Sequence, residues 1–135
     1  MKRKLIIADD YPEIREVISS ILNPTGEEFE ITEAGDGLAA LHLIEMLKPD
    51  VAILDIMMPE ISGIDVLSKL HENNSPTPII VLTAKTDEET YTSIKTVNPK
   101  AIILTKPLNR QELIDAVNSL LNPASNSITS TSSPR

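Results

Sequence analysis

Residues 51–63 read Val-Ala-Ile-Leu-Asp-Ile-Met-Met-Pro-Glu-Ile-Ser-Gly. Val51–Leu54 is an unbroken apolar run, the mark of a strand buried on both faces. It ends at Asp55, and Pro59 and Gly63 then interrupt the chain before an amphipathic stripe at Ile64, Leu67 and Leu70. A buried strand with a polar end, followed by a turn and a helix, is one half of a crossover unit.

The same unit recurs on either side. Lys4–Ala8, Ile79–Leu82 and Ala101–Leu104 are further apolar runs that predict strands buried on both faces. Phe29–Ala34 (FEITEA) alternates apolar with polar, as a strand nearer a sheet edge does. Ile14, Val17, Ile18, Ile21 and Leu22 share one helical face, with Pro12 in the first turn and Asn23-Pro24-Thr25-Gly26 as the stop. Leu38, Leu41, Ile44 and Leu47 make a second stripe, ended by Lys48-Pro49. Asp87–Val97 predicts a polar fourth helix anchored by Ile94 and Val97, and Leu113, Ile114, Val117, Leu120 and Leu121 predict a fifth. Five β–α units in succession imply an α/β fold, a parallel sheet with helices on both faces.

Composition narrows the function. A chain of 135 residues that is 41% hydrophobic and 24% charged is one ordinary globular domain. Twelve Lys plus Arg against 20 Asp plus Glu give a net charge of −8, which repels nucleic acid and anionic membranes. Cysteine is absent, which excludes disulfides, zinc–thiolate sites and thiol nucleophiles. Three aromatic residues provide no stacking platform for bases or sugars. The apolar run after Met1-Lys2-Arg3-Lys4 stops at Asp9, short of the roughly seven to fifteen residues of a secretory segment. No run approaches the ~18 apolar residues of a membrane span, so a cytoplasmic location is expected. Residues 1–121 are read as one domain. Residues 122–135, mostly Ser, Thr, Pro, Asn and Ala, are read as a flexible tail or the start of a linker.

The polar residues that end the strands carry the chemistry. In an open α/β sheet, ligands bind outside the carboxyl ends of the strands, near the switch in strand order. Asp9-Asp10, Asp55, Thr83 and Lys106 all fall there. Singly, each has a bland reading: Asp10 as a helix N-cap, Asp55 as a loop aspartate, Thr83 as a backbone-bonding hydroxyl, Lys106 as a solvated charge. Together they form a carboxylate cluster whose close pairs repel by about 1–4 kcal/mol at effective dielectrics of 80 to 20. A cation or a function must compensate that cost. All-oxygen ligation favours Mg²⁺. Carboxylates, Mg²⁺ and a lysine together describe phosphoryl positioning, with one aspartate either a ligand alone or the nucleophile as well.

In LIIADDYPEIR, DIMMPEISG, VLTAK and ILTKPL the chain resembles the receiver domain of two-component response regulators over about residues 3–121. The resemblance implies a flavodoxin-like (βα)₅ fold with strand order 2-1-3-4-5. By position it implies Asp55 as phosphoacceptor, with Asp9, Asp10, Asp55 and the backbone carbonyl of Met57 around Mg²⁺. Thr83 matches a switch hydroxyl, Lys106 the lysine that pairs with the phosphoryl group, and Pro107 a residue after a cis bond. A sensor histidine kinase or phosphotransfer protein would then be the donor. A downstream effector protein or domain would be the target, with phosphorylation-dependent dimerisation a further expectation.

The chain also departs from the pattern. Ile103 stands where an aromatic residue usually couples to the switch hydroxyl, and Pro99-Lys100 where a glycine is common. Met57 and Lys85 occupy positions that tune phosphoryl loss in the family, and an apolar Met57 predicts a lifetime of minutes or longer. His42 and His71 lie away from the strand ends and are read as surface residues, as is Tyr91. Asp9-Asp10-Tyr11 would repel a flavin phosphate, and the Asp-x-Asp loop of haloacid-dehalogenase-type phosphatases is missing, which disfavours both enzyme classes. The remaining alternatives are a fragment of a hybrid kinase or multidomain regulator, and an adaptor that binds without phosphorylation.

Overall fold

In the computed structural model, which describes residues 2–85 and 87–122, the elements alternate strictly. They are β1 (Arg3–Ala8), α1 (Pro12–Leu22), β2 (Phe29–Ala34), α2 (Gly37–Leu47), β3 (Val51–Asp55), α3 (Gly63–Glu72), β4 (Ile79–Thr83), α4 (Glu88–Val97), β5 (Ile102–Thr105) and α5 (Arg110–Leu121). The five strands pair in parallel in the order 2-1-3-4-5. The fold is the flavodoxin-like one the resemblance implies. Of the expected tail, only Asn122 is described, as the residue ending α5; 123–135 lie outside the described residues.

Side-chain alternation along the strands separates two apolar layers. Leu5, Ile7, Val51, Ile53, Ile80 and Leu82 face α1 and α5, where they meet Ile18, Leu22, Leu113 and Val117. Ile6, Ala52, Leu54 and Val81 face the other way, onto Ala40 and Ile44 of α2, Val66, Leu67 and Leu70 of α3, and Ile94 of α4. Covered from both sides, β3 and β4 are buried at every residue, which is why they read as continuous apolar runs.

Local chemistry sets the helix ends. Pro12 opens α1 as expected; the N-cap residue is Tyr11, and no side chain caps the helix, so Asp10 does not act as the cap. Asp36, Asp87 and Asn109 each accept from a backbone N–H in the first turn of α2, α4 and α5. Ser62 and Asp65 form a reciprocal capping box on α3. Lys48 ends α2 in the left-handed region at φ 48°.

The last strand corrects one expectation. Ala101–Leu104 was expected to be buried on both faces, but the strand runs Ile102–Thr105 and its three apolar residues are only half-buried. It forms the open edge of the sheet. Ile102 and Leu104 pack toward α5, while Ile103 borders a cavity of about 100 Å³ beside α4. That helix buries only Ile94, so it covers the edge thinly. His42, His71 and Tyr91 are exposed, as read from the sequence.

Candidate functional site

The strand order reverses between β1 and β3, and the crevice beyond their carboxyl ends is where this architecture binds ligands. The register sets Ala8 beside Leu54, so Asp9 and Asp10 emerge next to Asp55. Ligand oxygens from the three carboxylates lie within 4.8 Å of one another. From the far side of β4, Lys106 reaches in with Nζ 3.1 Å from Asp55 Oδ2 and 3.2 Å from Asp9 Oδ2. The Lys106–Pro107 peptide is cis.

Every oxygen of Asp9 is held. Oδ1 accepts from Tyr11 N–H at 2.9 Å and Oδ2 from Lys106, while the backbone N–H donates to Ala34 O and the backbone carbonyl accepts from Arg15. Asp55 Oδ1 likewise accepts from Met57 N–H at 3.0 Å. Asp10 differs: its Oδ1 is buried and has no hydrogen-bond partner among the described residues. A buried carboxylate oxygen left bare is costly. Three converging carboxylates with one such oxygen are a donor set suited to a hard divalent cation, so the residues fit Mg²⁺.

Electrostatics are set by the lysine and by burial. Burial pushes the Asp9 carboxyl up; the Tyr11 hydrogen bond pulls it down, Asp55 pushes it up again and Lys106 pulls it down, and the net direction is up. For Lys106 burial alone would lower the ammonium, but the hydrogen bond to Asp55 and the charges of Asp55 and Asp9 outweigh it, and the net direction is again up. The ammonium is thus firmly charged, and it neutralises only part of the cluster.

A basin of about 510 Å³ opens over these groups, bordered by Asp10, Tyr11, Asp55, Met57, Met58, Ser62, Ala84 and Lys106. Met57 is exposed at its rim. Thr83 is buried at the end of β4 and its hydroxyl is engaged locally: it accepts from Lys85 N–H at 2.9 Å and donates to Lys85 O at 3.3 Å. The structure therefore brings Asp9, Asp10, Asp55 and Lys106 into one cluster with Met57 beside it, and leaves Thr83 facing the cavity next to Ile103.

The contacts of two residues were not foreseen from the sequence, where Gly63 is read only as a chain break and motif end and Arg15 only as the last residue of LIIADDYPEIR. A β-carbon on Gly63 would stand 2.6 Å from Asp55 O and 2.8 Å from Ile56 Cα, so only glycine lets α3 start against the backbone of the acidic loop. Arg15 bonds the Asp9 carbonyl at 2.6 Å and Glu33 at 2.7 Å. Its signal, a cation one helical turn after an acidic pair, is faint in a helix face already explained by its apolar stripe.

A parallel sheet of order 2-1-3-4-5 gathers three carboxylates and a lysine at its switch point, and comparison with known proteins identifies the family that shares this fold. The chain belongs to the response regulator receiver domain family, whose model matches residues 5–118. It is 36% identical over 117 residues to the probable transcriptional regulatory protein TcrX of Mycobacterium tuberculosis, covering 87% of this chain and 49% of that protein. The chain therefore spans about half the length of this curated relative. Among solved structures, the Francisella response regulator 1452 receiver domain superposes with a TM-score of 0.80 at 35% identity, over 91% of this chain and 99% of that one. A CheY-like receiver domain protein from Methanospirillum hungatei shares the fold, with a TM-score of 0.82 at 23% identity over 94% and 99% of the two chains. Receiver domains are signalling switches and are generally not enzymes. Among the described residues no helix is long and apolar enough to cross a membrane.

Proposed function

We propose that this receiver domain is a phosphorylation-controlled switch in a phosphorelay, with Asp55 as its acceptor. The observation that carries the reading is the pairing of Lys106 with both Asp55 and Asp9 beside an Asp10 oxygen that lacks a partner. A carboxylate oxygen of Asp55 attacks the phosphorus of a phosphohistidine on a sensor kinase or phosphotransfer protein, or of acetyl phosphate. The P–N or P–O bond breaks, the leaving group departs with its electron pair, and an acyl phosphate remains on Asp55. Asp9, Asp10, Asp55 and the Met57 carbonyl would hold Mg²⁺, which supplies neutralising charge to the transferring group. Lys106 shifts its ammonium from Asp55 Oδ2 to a phosphoryl oxygen, so the charge is compensated by a group already in position. Water later cleaves the acyl phosphate to inorganic phosphate and the free carboxylate.

The Thr83 hydroxyl, bound to the Lys85 backbone in the unmodified protein, turns to a phosphoryl oxygen and releases the loop that leads into α4. The helix behind that loop buries one residue, so little packing resists its movement. The surface around α4 and α5 then changes its affinity for an effector protein or domain, or for a second copy. Residues 1–121 act as the switch unit and 122–135 as a tail or linker. The acidic balance argues against direct nucleic-acid binding by this segment, and the setting is cytoplasmic. Adaptor binding without phosphorylation is the alternative.

The site is tested by treating the protein with acetyl phosphate and Mg²⁺, reducing the acyl phosphate with borohydride, and mapping the modified carboxyl by peptide mass. Modification at Asp55 is expected. Modification at Asp9 or Asp10 instead, or at no carboxyl, would contradict the assignment.

A further inference from the structure

From the contacts of Arg15 we infer that this residue is a positioning residue for the cation site: by clamping the carbonyl between Asp9 and Asp10 it aims the Asp10 carboxylate into the cluster. The inference rests on the metal reading of that cluster. The guanidinium makes two directed contacts, Nη1 to Asp9 O at 2.6 Å and Nε to Glu33 Oε1 at 2.7 Å. The Asp9 carbonyl belongs to the Asp9–Asp10 peptide, and a peptide unit is a rigid plane. Fixing its oxygen therefore fixes the plane from which the Asp10 side chain departs. The other end of Asp9 is fixed too, since its N–H donates to Ala34 O at 3.1 Å, one residue after Glu33. Strand β2, through Glu33 and Ala34, thus braces both peptide units that flank Asp9.

Asp10 is the residue that needs such a brace. Among the described residues its Oδ1 has no partner, so no hydrogen bond to that atom sets where it points. Asp9 and Asp55, by contrast, are each held by Lys106 and by a backbone N–H. The Arg15 side chain is only 17% exposed, and Gly35 stands against it: a β-carbon there would lie 3.6 Å from Nη1.

Geometry and charge make opposite predictions, so they can be separated. If Arg15 only offset the negative cluster, removing its charge would tighten cation binding. If it aims Asp10, losing the planar two-point hold loosens binding even when the charge is kept, because a lysine cannot span both acceptors in the same way. Substituting a residue that orients a metal ligand without touching the metal weakens binding by about 10- to 100-fold.

The test is calorimetric titration of Mg²⁺ into the full chain for the wild type, Arg15→Lys, Arg15→Gln and Glu33→Ala, with metal-free melting curves alongside. Wild type should bind, both Arg15 variants should bind about 10-fold more weakly, and Glu33→Ala, which changes an exposed side chain and keeps the Arg15–Asp9 contact, should lose about threefold. Arg15 variants that fold and bind Mg²⁺ as the wild type does, or more tightly, would overturn the inference. So would a wild-type affinity in Glu33→Ala, should the Arg15 variants not fold. A wild-type chain that takes up no Mg²⁺ would instead overturn the metal reading on which the inference stands.

Discussion

Gly63 and Asp55 are in backbone contact: a β-carbon at Gly63 would stand 2.6 Å from the Asp55 carbonyl oxygen, and Gly63 N–H donates to Ile56 O at 2.9 Å. The start of α3 and the end of β3 therefore form one rigid unit, and the position of the candidate acceptor depends on a residue eight places along the chain.

Gly63→Ala should for this reason destabilise the protein by about 2 kcal/mol, within the usual range for overpacking. Gly35→Ala is the control. A methyl there meets only the end of Arg15 at ordinary contact distance, and its effect should stay within about 0.5 kcal/mol. Urea unfolding of both variants measures the difference.

The raised carboxyl of Asp9 gives a stability change of predictable sign. Its ordinary value is 3.8 and its folded value is higher. The folded state therefore binds the proton more tightly than the unfolded chain, and stability falls as pH rises from about 4 through the folded value. In chelator at pH 7, Asp9→Asn removes that penalty and one carboxylate repulsion. It should melt higher than the wild type, by about 1 kcal/mol. The advantage should shrink as the pH is lowered toward 4. Parallel melting curves across that range would show that ionised Asp9 carries no cost.

Lys106 behaves in the opposite sense. Its ammonium lies above its ordinary 10.5, held there by Asp55 and Asp9 against the effect of burial, so its contribution is complete below that value and lost as pH rises through the higher folded one. Lys106→Met in chelator should cost about 1–2 kcal/mol at neutral pH, less than a fully buried pair because the side chain is 21% exposed. The two melting temperatures should converge at strongly alkaline pH. Adding Asp9→Asn to Lys106→Met should recover part of the loss, a coupling that a double-mutant cycle reads directly.

Met57 is exposed at the rim of the basin, next to Asp55. On the proposed function, an apolar side chain there would hinder water from lining up on an acyl phosphate at Asp55. The phosphorylated protein should therefore last minutes or longer without a phosphatase, and Met57→Asn should shorten that lifetime severalfold. Loss within seconds in the wild type, followed by intact mass over time, would contradict the role given to Met57.

Much of this architecture was legible because burial on both faces writes itself as unbroken apolar runs. Val51–Leu54 and Ile79–Leu82 announced central strands, and the topology then dictated that Asp9, Asp10, Asp55 and Lys106 meet at one edge. The strand Ile102–Thr105 misled because an edge strand can be equally apolar, so composition alone does not report how many neighbours it has. The contacts of Arg15 were hidden for a related reason. It fills a polar slot on an amphipathic helix, and nothing in one dimension says that its guanidinium folds back to Asp9 and across to Glu33. For Thr83 the sequence offered two readings, a hydroxyl bonding local backbone or a switch hydroxyl, and the Lys85 contact is the first of them, since the same residue type serves both.

The most direct test is the intact mass of the protein after incubation with acetyl phosphate and Mg²⁺, beside Asp55→Asn and a metal-free control. Gain of a single phosphoryl group in the complete reaction, absent from both controls, is the predicted result. An equal gain in Asp55→Asn, or no gain in the wild type with either acetyl phosphate or a phosphorylated histidine donor, would contradict the claim that Asp55 is the acceptor of a metal-dependent switch.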